Sequence, residues 1–227
     1  KWKTKVLMDN TILNSAQLLI ENALEEDLGH RGDITTQAMN AKSANVSARI
    51  IAKQSGIVSG LDIAIQVFKF LDPAIQFTPK VKDGDRVEPA DILLLLHGPA
   101  HAILSAERTA LNFLGRLSGI ATLAFTFSQQ IKNTETKILD TRKTTPGWRT
   151  LEKYAVKCGG CGNHRIGLYD MFLIKENHIT TAGSITKAVT NCRDYMEKNH
   201  FTAAIEVETK SIAEVKEALR LNVDRIM

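Results

Sequence analysis

Charged side chains recur in the second half of the chain, each time just behind a short apolar run. Three such runs are followed, in chain order, by Thr141, Arg142 and Lys143, then by Lys175, and then by Glu208. If the runs are parallel strands, their carboxyl ends meet at one rim, which is where α/β barrels carry their functional groups. We therefore expect a rim that gathers arginines and lysines, with carboxylates opposite.

The chemistry of such a rim suits an anionic substrate. Arginine donates two parallel hydrogen bonds to a carboxylate or phosphate, and lysine supplies a compact charge. Glu208, and less favourably Glu206, could hold Mg²⁺, which usually binds through one or two carboxylates and substrate phosphates. Because the two positions differ by two, an extended strand puts both on one face. Any single charge is better explained as a solvated loop residue, and only the repetition at strand ends favours a site.

The elements that must position these residues alternate from residue 136 onward. Short apolar runs, predicted as strands, cover residues 137–139, 171–174, 203–205 and 225–227. Helices are predicted between them over residues 147–156, 184–198 and 211–221. Repeated β-α units are typical of a parallel sheet or barrel.

The first half of the chain has a different pattern. Helices are predicted over residues 15–27, with Ser15 as N-cap, and over residues 61–71 and 105–132, with an irregular segment up to Met39. Strands are predicted around residues 46–52, 57–59 and 92–96, with a turn centred on Gly84. The change of pattern predicts a domain boundary near Thr134.

Composition excludes several classes of protein. The chain has 227 residues, 29 basic and 25 acidic, and a net charge of +4, which is too mild for a dedicated nucleic-acid or polybasic membrane binder. No uninterrupted apolar run approaches the roughly 18–20 residues of a membrane span, and residues 1–5 lead into no apolar leader. Three cysteines do not make a disulfide framework, so we expect a cytoplasmic protein with no membrane or nucleic-acid partner.

Several segments resemble one enzyme family, the quinolinate phosphoribosyltransferases, also called nicotinate-nucleotide pyrophosphorylases. In the second half they are LDTRKTTPG at 139–147, EKYAV at 152–156, NHR at 163–165, GLYD at 167–170 and IKENHI at 174–179. In the first half they are EDLG at 26–29, GDIT at 32–35, SAERTALN at 105–112 and LSGIAT at 117–122. The resemblance covers almost the whole chain.

The resemblance implies an α/β fold with two domains and a homodimer. Residues 1–134 would form an N-terminal α/β sandwich domain with the long helical region, and residues 135–227 an incomplete C-terminal open α/β barrel. The family continues beyond the last residue of this chain, so we expect a sequence truncated at its C-terminus. The implied reaction is a pentosyl transfer of NAD biosynthesis: quinolinate and phosphoribosyl pyrophosphate give nicotinate mononucleotide, pyrophosphate and CO₂.

The resemblance also implies which residues bind the dicarboxylate substrate. Arg142 and Arg165 would meet its carboxylates, and His164 would line the pocket beside Thr141. Arg108 lies on the long helix before the barrel. It would enter the site of the partner subunit, so that each site of the dimer is composite.

Three residues are expected to act on the reacting groups as well as to bind substrate. Lys143 and Lys175 would meet the pyrophosphate and the charge that develops on it. Glu208 would hold Mg²⁺, the one expected cofactor, or a ribose hydroxyl.

Some interpretations stay open at this point. Cys161 stands where the family has the third glycine of a loop, and the Cys158–Cys161 pair is better explained by loop packing than by zinc. His178 is either structural, orienting the segment around Lys175, or functional. The alternatives to the enzyme are a related phosphoribosyltransferase-like protein of molybdenum-transport operons and a non-catalytic lipoyl-like interaction module. The hairpin at Gly84 is the only support for the second alternative.

Overall fold

The structure is a computed structural model that describes residues 10–39 and 44–227. The first five residues, from which we expected no leader, lie outside this part. The chain divides into two compact units, Lys1–His164 and Arg165–Met227.

The first unit combines helices with antiparallel strands. Its helices are α1 (Asn10–Leu28), α2 (Ile34–Ala38), α3 (Leu61–Leu71), α4 (Ala100–Gln130) and α5 (Arg149–Cys158). Its strands are β1 (Asn45–Ile51), β2 (Gly56–Ile57), β3 (Gln76–Pro79), β4 (Arg86–Val87) and β5 (Ile92–Pro99). One antiparallel sheet has the order β1-β5-β3, and β2 pairs with β4 in a second.

Helix α4 is central to the core of the first unit. Its apolar residues include the fully buried Phe113 and Leu117, which belong to the same core as Phe68 of α3 and Leu151 of α5. Within the described part of the chain, α4 is the one helix long and apolar enough to cross a membrane. Core helices of globular proteins have the same length and composition, and the buried face of α4 is of that kind.

Several predictions for this unit are confirmed and others are corrected. The helix at residues 61–71 and the alternating strand from Val46 are confirmed. The N-cap prediction for Ser15 is wrong, because this residue lies inside α1 and its hydroxyl donates to the Thr11 carbonyl. The irregular segment before Met39 contains α2, because the Asp33 carboxylate caps it by accepting from the Thr36 N–H at 2.9 Å.

The second unit contains the expected β-α repeat. Strands β6 (Phe172–Ile174), β7 (Ile205–Val207) and β8 (Arg225–Ile226) form a parallel sheet in that order. The helices are α6 (Glu176–Ala182), α7 (Ile185–Lys198) and α8 (Ile212–Arg220). Ser184 and Ser211 cap α7 and α8 through their hydroxyls, which gives both helices their predicted starts.

Two of the predicted barrel strands differ in the structure. The run at 203–205 is displaced, because β7 begins only at Ile205 and extends through Val207. The run at 137–139 forms a single bridge, Leu139 to Gly162, in the first unit, because its neighbour is a glycine turn rather than a strand. Residues 135–164 thus belong to the first compact unit, while the domain boundary near Thr134 stays a prediction.

Candidate active site

The segment from Thr141 to Gly147 is a loop stabilised by its own short-range hydrogen bonds. The Lys143 N–H donates to the Thr141 hydroxyl at 3.0 Å, and the Thr144 N–H donates to the Arg142 carbonyl at 3.0 Å. Gly147 ends the loop with a φ of +81°, a conformation that favours glycine. The loop exposes the side chains of Thr141 and Lys143 and half-buries that of Arg142.

Arg142 has a polar atom that the described protein does not satisfy. Its Nε is buried and makes no hydrogen bond to any described residue. A buried donor without an acceptor costs free energy, and a carboxylate or phosphate oxygen would remove that cost. The loop can therefore bind an anion through Arg142, next to the exposed ammonium of Lys143.

A buried ion pair holds the start of this loop. Lys153 of α5 and Asp140 are 3% and 8% exposed, and the Lys153 ammonium donates to the Asp140 carboxylate. Lys153 also donates to the His164 carbonyl at 2.9 Å, and the His164 N–H donates to Asp140 at 2.8 Å. The Asn163 amide donates to the second oxygen of Asp140 at 2.6 Å. One carboxylate therefore ties the cationic loop to the segment that carries His164.

Two more residues of α5 hold the far side of the loop. The Arg149 Nε donates to the Thr144 hydroxyl at 3.1 Å, and the Thr145 N–H donates to the Glu152 carboxylate at 3.3 Å. Arg116 of α4 pairs with Glu152. Burial raises the pKa of the Glu152 carboxyl, but the hydrogen bonds from Arg116 and Thr145 lower that pKa by more, so its net value lies below the ordinary one.

Aromatic side chains support the same side of the loop. The Trp148 ring stacks on Phe113 of α4, with ring centres 4.9 Å apart. The Arg116 guanidinium lies 5.1 Å from the centre of the Trp148 ring, a cation–π distance. Helices α4 and α5 together thus fix the end of the loop at Trp148.

The glycine loop before His164 packs closely against α4. A Cβ at Gly159 would lie 2.3 Å from the Ala121 carbonyl oxygen, so only glycine fits there. The Cys161 thiol lies 3.2 Å from the Ala124 carbonyl, and burial raises its pKa. Burial likewise raises the pKa of Cys158 to about 11. The described residues contain no group of three or more potential metal ligands. Loop packing as the role of this cysteine pair stays a prediction.

Arg108 is exposed on α4, as its proposed reach into a partner requires. Its helix neighbours are anchored by the two acidic motifs near the N-terminus. Ser105 donates to Asp33 at 3.1 Å, and Thr109 donates to Asp27 at 3.3 Å. These contacts join the EDLG and GDIT segments to the SAERTALN segment of α4.

In the second unit, Arg165 precedes a tight turn. Its guanidinium donates to the Met171 carbonyl at 3.1 Å. The Asp170 carboxylate accepts from the N–H groups of Ile166 and Gly167 at 2.7 and 3.1 Å, which closes the turn. Burial raises the pKa of Asp170, but these backbone hydrogen bonds lower it by more. The GLYD segment therefore shapes the backbone that follows Arg165.

Lys175 and Glu208 lie at the ends of neighbouring strands. The Glu208 N–H donates to the Ile174 carbonyl at 2.9 Å, and the two charged side chains are 3.6 Å apart. They are 51% and 40% exposed, so the pair is largely solvated. The His178 Nδ1 accepts from the Lys175 N–H at 2.9 Å, which supports the structural interpretation of His178.

Glu206 differs from Glu208 in its surroundings. Its side chain is only 6% exposed, and it lies 3.7 Å from Arg225 on the neighbouring strand. A buried carboxylate beside an arginine is a poor magnesium ligand, whereas Glu208 is accessible. Glu208 also lines a cavity of about 160 Å³ with five other residues of the second unit: Glu176, Ile179, Thr180, Lys210 and Glu214.

The strand-end residues around Glu208 fit Mg²⁺ only if substrate phosphates supply most of its ligands. The described residues offer no group of three or more carboxylate, histidine or cysteine ligands. Glu208 could supply a single carboxylate, and substrate phosphates would have to supply most of the other oxygens, which is a common arrangement for this ion.

The structure thus brings the predicted residues together in two groups. In the first unit, Thr141, Arg142 and Lys143 share a hydrogen-bonded framework with His164, and Arg108 is exposed on α4. In the second unit, Lys175 pairs with Glu208, and Arg165 precedes the Asp170 turn. A larger cavity, of about 320 Å³ and lined by α1 and α3, contains none of these residues.

Sequence reasoning missed the residues that hold the cationic loop. Asp140, Lys153 and Asn163 appear in the resemblance segments, but no role was expected for them. One signal was available for Lys153, because it is a charged residue beside the apolar Leu151, Tyr154 and Ala155, all of which are buried. An ammonium in such a run requires a buried partner.

Two family models match the chain and together cover most of it. The model described as the quinolinate phosphoribosyl transferase N-terminal domain matches residues 33–118. The model of the C-terminal domain of the same family matches residues 120–227.

Relatives similar in sequence carry the two names of this family. A quinolinate phosphoribosyltransferase (decarboxylating) 1b of Nicotiana tabacum is 42% identical over 201 residues, which are 88% of this chain. A probable nicotinate-nucleotide pyrophosphorylase (carboxylating) of Synechocystis is 42% identical over 208 residues, which are 92% of this chain. The chain spans 57% of the tobacco relative and 69% of the Synechocystis relative.

A solved structure gives the same result at the level of the fold. The crystal structure of NadC from Streptococcus pyogenes matches with a TM-score of 0.90 and 37% identity, over 97% of this chain and 76% of that one. The predicted fold class, an N-terminal and a C-terminal α/β domain, is confirmed by these matches. They favour neither the molybdenum-transport alternative nor the lipoyl-like module. The Gly84 hairpin has a structural role instead, since its Asp83 accepts from the N–H groups of Gly60 and Leu61 at the start of α3.

Proposed function

Because the chain belongs to the quinolinate phosphoribosyltransferase family, we propose that it transfers the phosphoribosyl group of phosphoribosyl pyrophosphate to quinolinate. The products are nicotinate mononucleotide, pyrophosphate and CO₂, so the protein is a glycosyltransferase of NAD biosynthesis. The observation that carries the proposal is the cationic loop at 141–147, where the buried Arg142 Nε has no acceptor among the described residues. An anionic substrate would supply that acceptor.

Quinolinate has two adjacent carboxylates, and its binding requires more than one cation. Arg142, Arg165 and Arg108 are proposed to bind these carboxylates, because the guanidinium group suits them geometrically. His164 and Thr141 are proposed to contact the same substrate. The buried Asp140 network supports this proposal for His164, since it ties that residue to the Arg142 loop.

The transfer breaks the bond between ribose C1 and the pyrophosphate oxygen and forms a bond from C1 to the ring nitrogen of quinolinate. The leaving pyrophosphate gains negative charge, while the ribose becomes oxocarbenium-like. Lys143 and Lys175 are proposed to stabilise the leaving anion, because fixed cations lower the barrier where charge develops. The bond between one carboxylate and the ring then breaks and CO₂ leaves. The positively charged ring stabilises the electron pair left on the ring carbon, which takes up a proton from water.

Glu208 is proposed to bind Mg²⁺ or a ribose hydroxyl. When bound, the ion would supply Lewis-acid charge to the pyrophosphate oxygens. Lys175 lies 3.6 Å from Glu208, so it would hold that carboxylate at the same strand end.

The working unit is proposed to be a homodimer in which Arg108 enters the site of the partner. The exposed position of Arg108 on α4 supports this arrangement. A second subunit would shield the dicarboxylate from water and strengthen its ion pairs. A cytoplasmic location is proposed because the three cysteines are free thiols.

The test is a direct assay for the product. The purified protein is incubated with quinolinate, phosphoribosyl pyrophosphate and Mg²⁺, and nicotinate mononucleotide is measured by chromatography. Nicotinate replaces quinolinate in the control, because it lacks the second carboxylate and should be a poor substrate. Absence of product with the folded wild-type protein would overturn the proposed function.

A further inference from the structure

A single buried carboxylate connects two segments that carry proposed substrate-binding residues. Asp140 directly precedes Thr141 and accepts three hydrogen bonds, from the Lys153 ammonium, the His164 N–H and the Asn163 amide. Lys153 donates in turn to the His164 carbonyl at 2.9 Å, so the backbone of His164 is held on both sides. Asn163 is also bound to α5, because its amide donates to the Lys153 carbonyl at 2.9 Å.

We infer that Asp140 and Lys153 are positioning residues: their ion pair holds the Thr141–Lys143 segment and the Asn163–His164 segment in one arrangement before substrate binds. The kinetic effect expected from this inference rests on the proposed function. The structural part, that the pair orders both segments, does not depend on it.

The burial of the pair argues against a role in stability alone. Lys153 is 3% exposed and Asp140 is 8% exposed, so both charges have lost their hydration. Apolar residues of similar size in such a place often leave a protein equally stable or more stable. A carboxylate that accepts from three donors also fixes their directions, which apolar packing does not. The charge pair therefore supplies geometry, and the segments it orients carry the substrate cations.

Other side-chain contacts of the cationic loop lie further along the loop than the Asp140–Lys153 pair. Arg149 and Glu152 bind the loop at Thr144 and Thr145, downstream of the substrate-binding residues. The Asp140–Lys153 pair lies upstream of those contacts, and both of its members bind the backbone of His164.

The experiment compares three variants of the purified protein. Lys153→Met removes the ammonium at similar volume but leaves the buried Asp140 carboxylate unpaired. Asp140→Asn/Lys153→Met removes both charges, so no unpaired buried charge remains. Lys157→Met is the matched control, because Lys157 is exposed near the end of the same helix. Hydrogen exchange of peptides covering residues 140–147 and 159–164, kcat and KM are measured for each.

We expect faster exchange in both peptides of the double variant, with unchanged exchange in α4. We also expect kcat/KM to fall by roughly ten- to a hundredfold, with KM for quinolinate raised, because a small misplacement of binding groups has effects of that size. Lys157→Met should match the wild type. If Lys153→Met does not fold, the double variant decides.

A folded double variant with wild-type exchange in both peptides would overturn the inference, as would kcat/KM within about threefold of wild type. If neither charge-removal variant folds, the pair acts in stability and the inference is equally overturned. If the wild type forms no nicotinate mononucleotide, the proposed function fails. The exchange of the two peptides still decides whether the pair orders them.

Discussion

The cationic loop of the first unit and the strand ends of the second carry the same kinds of side chain, yet they are held by different means. In the first unit the Asp140–Lys153 pair is buried and surrounded by directed hydrogen bonds. In the second, Lys175 and Glu208 are about half exposed and 3.6 Å apart. The Lys210–Glu176 pair nearby is similarly exposed.

The proposed polyanion-binding residues are thus held in two different ways. A buried network fixes backbone segments before the ligand arrives, at the cost of desolvating two charges. An exposed pair contributes little to stability, so its side chains can reorient towards a ligand with little loss. We therefore expect the first region to tolerate few changes beneath its loop and the second to depend on its charges alone.

The largest effect should follow removal of a proposed substrate-binding cation from either unit. Lys143→Ala and Arg165→Ala should abolish turnover and leave the fold intact, because loop cations contribute little to the core. Losing a charge-assisted hydrogen bond to substrate costs roughly 2–5 kcal/mol. Product formation and calorimetric titration with quinolinate are the measurements, with Lys137→Ala as an exposed control. Undiminished quinolinate binding by Arg165→Ala would remove Arg165 from the site.

The next largest effect is recovery of activity in mixed dimers. Arg108→Ala chains and Lys143→Ala chains, each inactive alone, are mixed under conditions that allow subunit exchange. Each mixed dimer then has one intact site and one site with both lesions. Because random exchange makes half of the dimers mixed, activity should reach about a quarter of wild type. Confirmed exchange without any recovery would show that Arg108 does not act across the interface.

A smaller effect, on stability, is expected when the contacts of Arg116 with Glu152 and Trp148 are removed. Arg116→Gln removes the ion pair with Glu152 and the contact with Trp148, and should lower the free energy of unfolding by about 1 kcal/mol at pH 7. The Glu152 pKa is lowered in the folded protein, so its contribution is present above the ordinary pKa and lost as pH falls through the folded value. The difference between variant and wild type should therefore shrink on acidification, as measured by denaturant unfolding.

The exposed Arg86–Glu88 pair supplies the control for this prediction. Its side chains are 65% and 55% exposed, so Arg86→Gln should leave the free energy of unfolding nearly unchanged. If the difference in free energy of unfolding between Arg116→Gln and the wild type grows as the pH falls, the role given to Glu152 is contradicted.

The smallest effect should come from Cys161→Gly. The thiol donates a weak hydrogen bond to the Ala124 carbonyl at 3.2 Å, and the neighbouring glycines already define the loop. Turnover should remain within about threefold of wild type, since a weak contact of this kind contributes little. Tightly bound zinc in the purified protein, lost on this substitution, would contradict the loop-packing interpretation.

Much of the fold could be predicted because local rules decide it. The apolar spacing of residues 61–71 predicts helix α3 with its observed bounds, and Ser184 and Ser211 predict the starts of two helices. The run at 137–139 could not be assigned correctly, since an apolar run becomes a strand only if a neighbouring strand pairs with it. There the neighbour is the turn at Gly162.

For the candidate site, chain order places Thr141, Arg142, Lys143, Lys175 and Glu208 behind apolar runs, and the family resemblance implied their roles. Tertiary structure decided which charges are buried and which are solvated. Glu206 and Glu208 differ by two positions, yet one is 6% and the other 40% exposed. The partner of Lys153 is likewise set by folding, since Asp140 is thirteen residues away in sequence. Desolvation and pairing depend on what packs around a side chain, and that information is distributed over the whole fold.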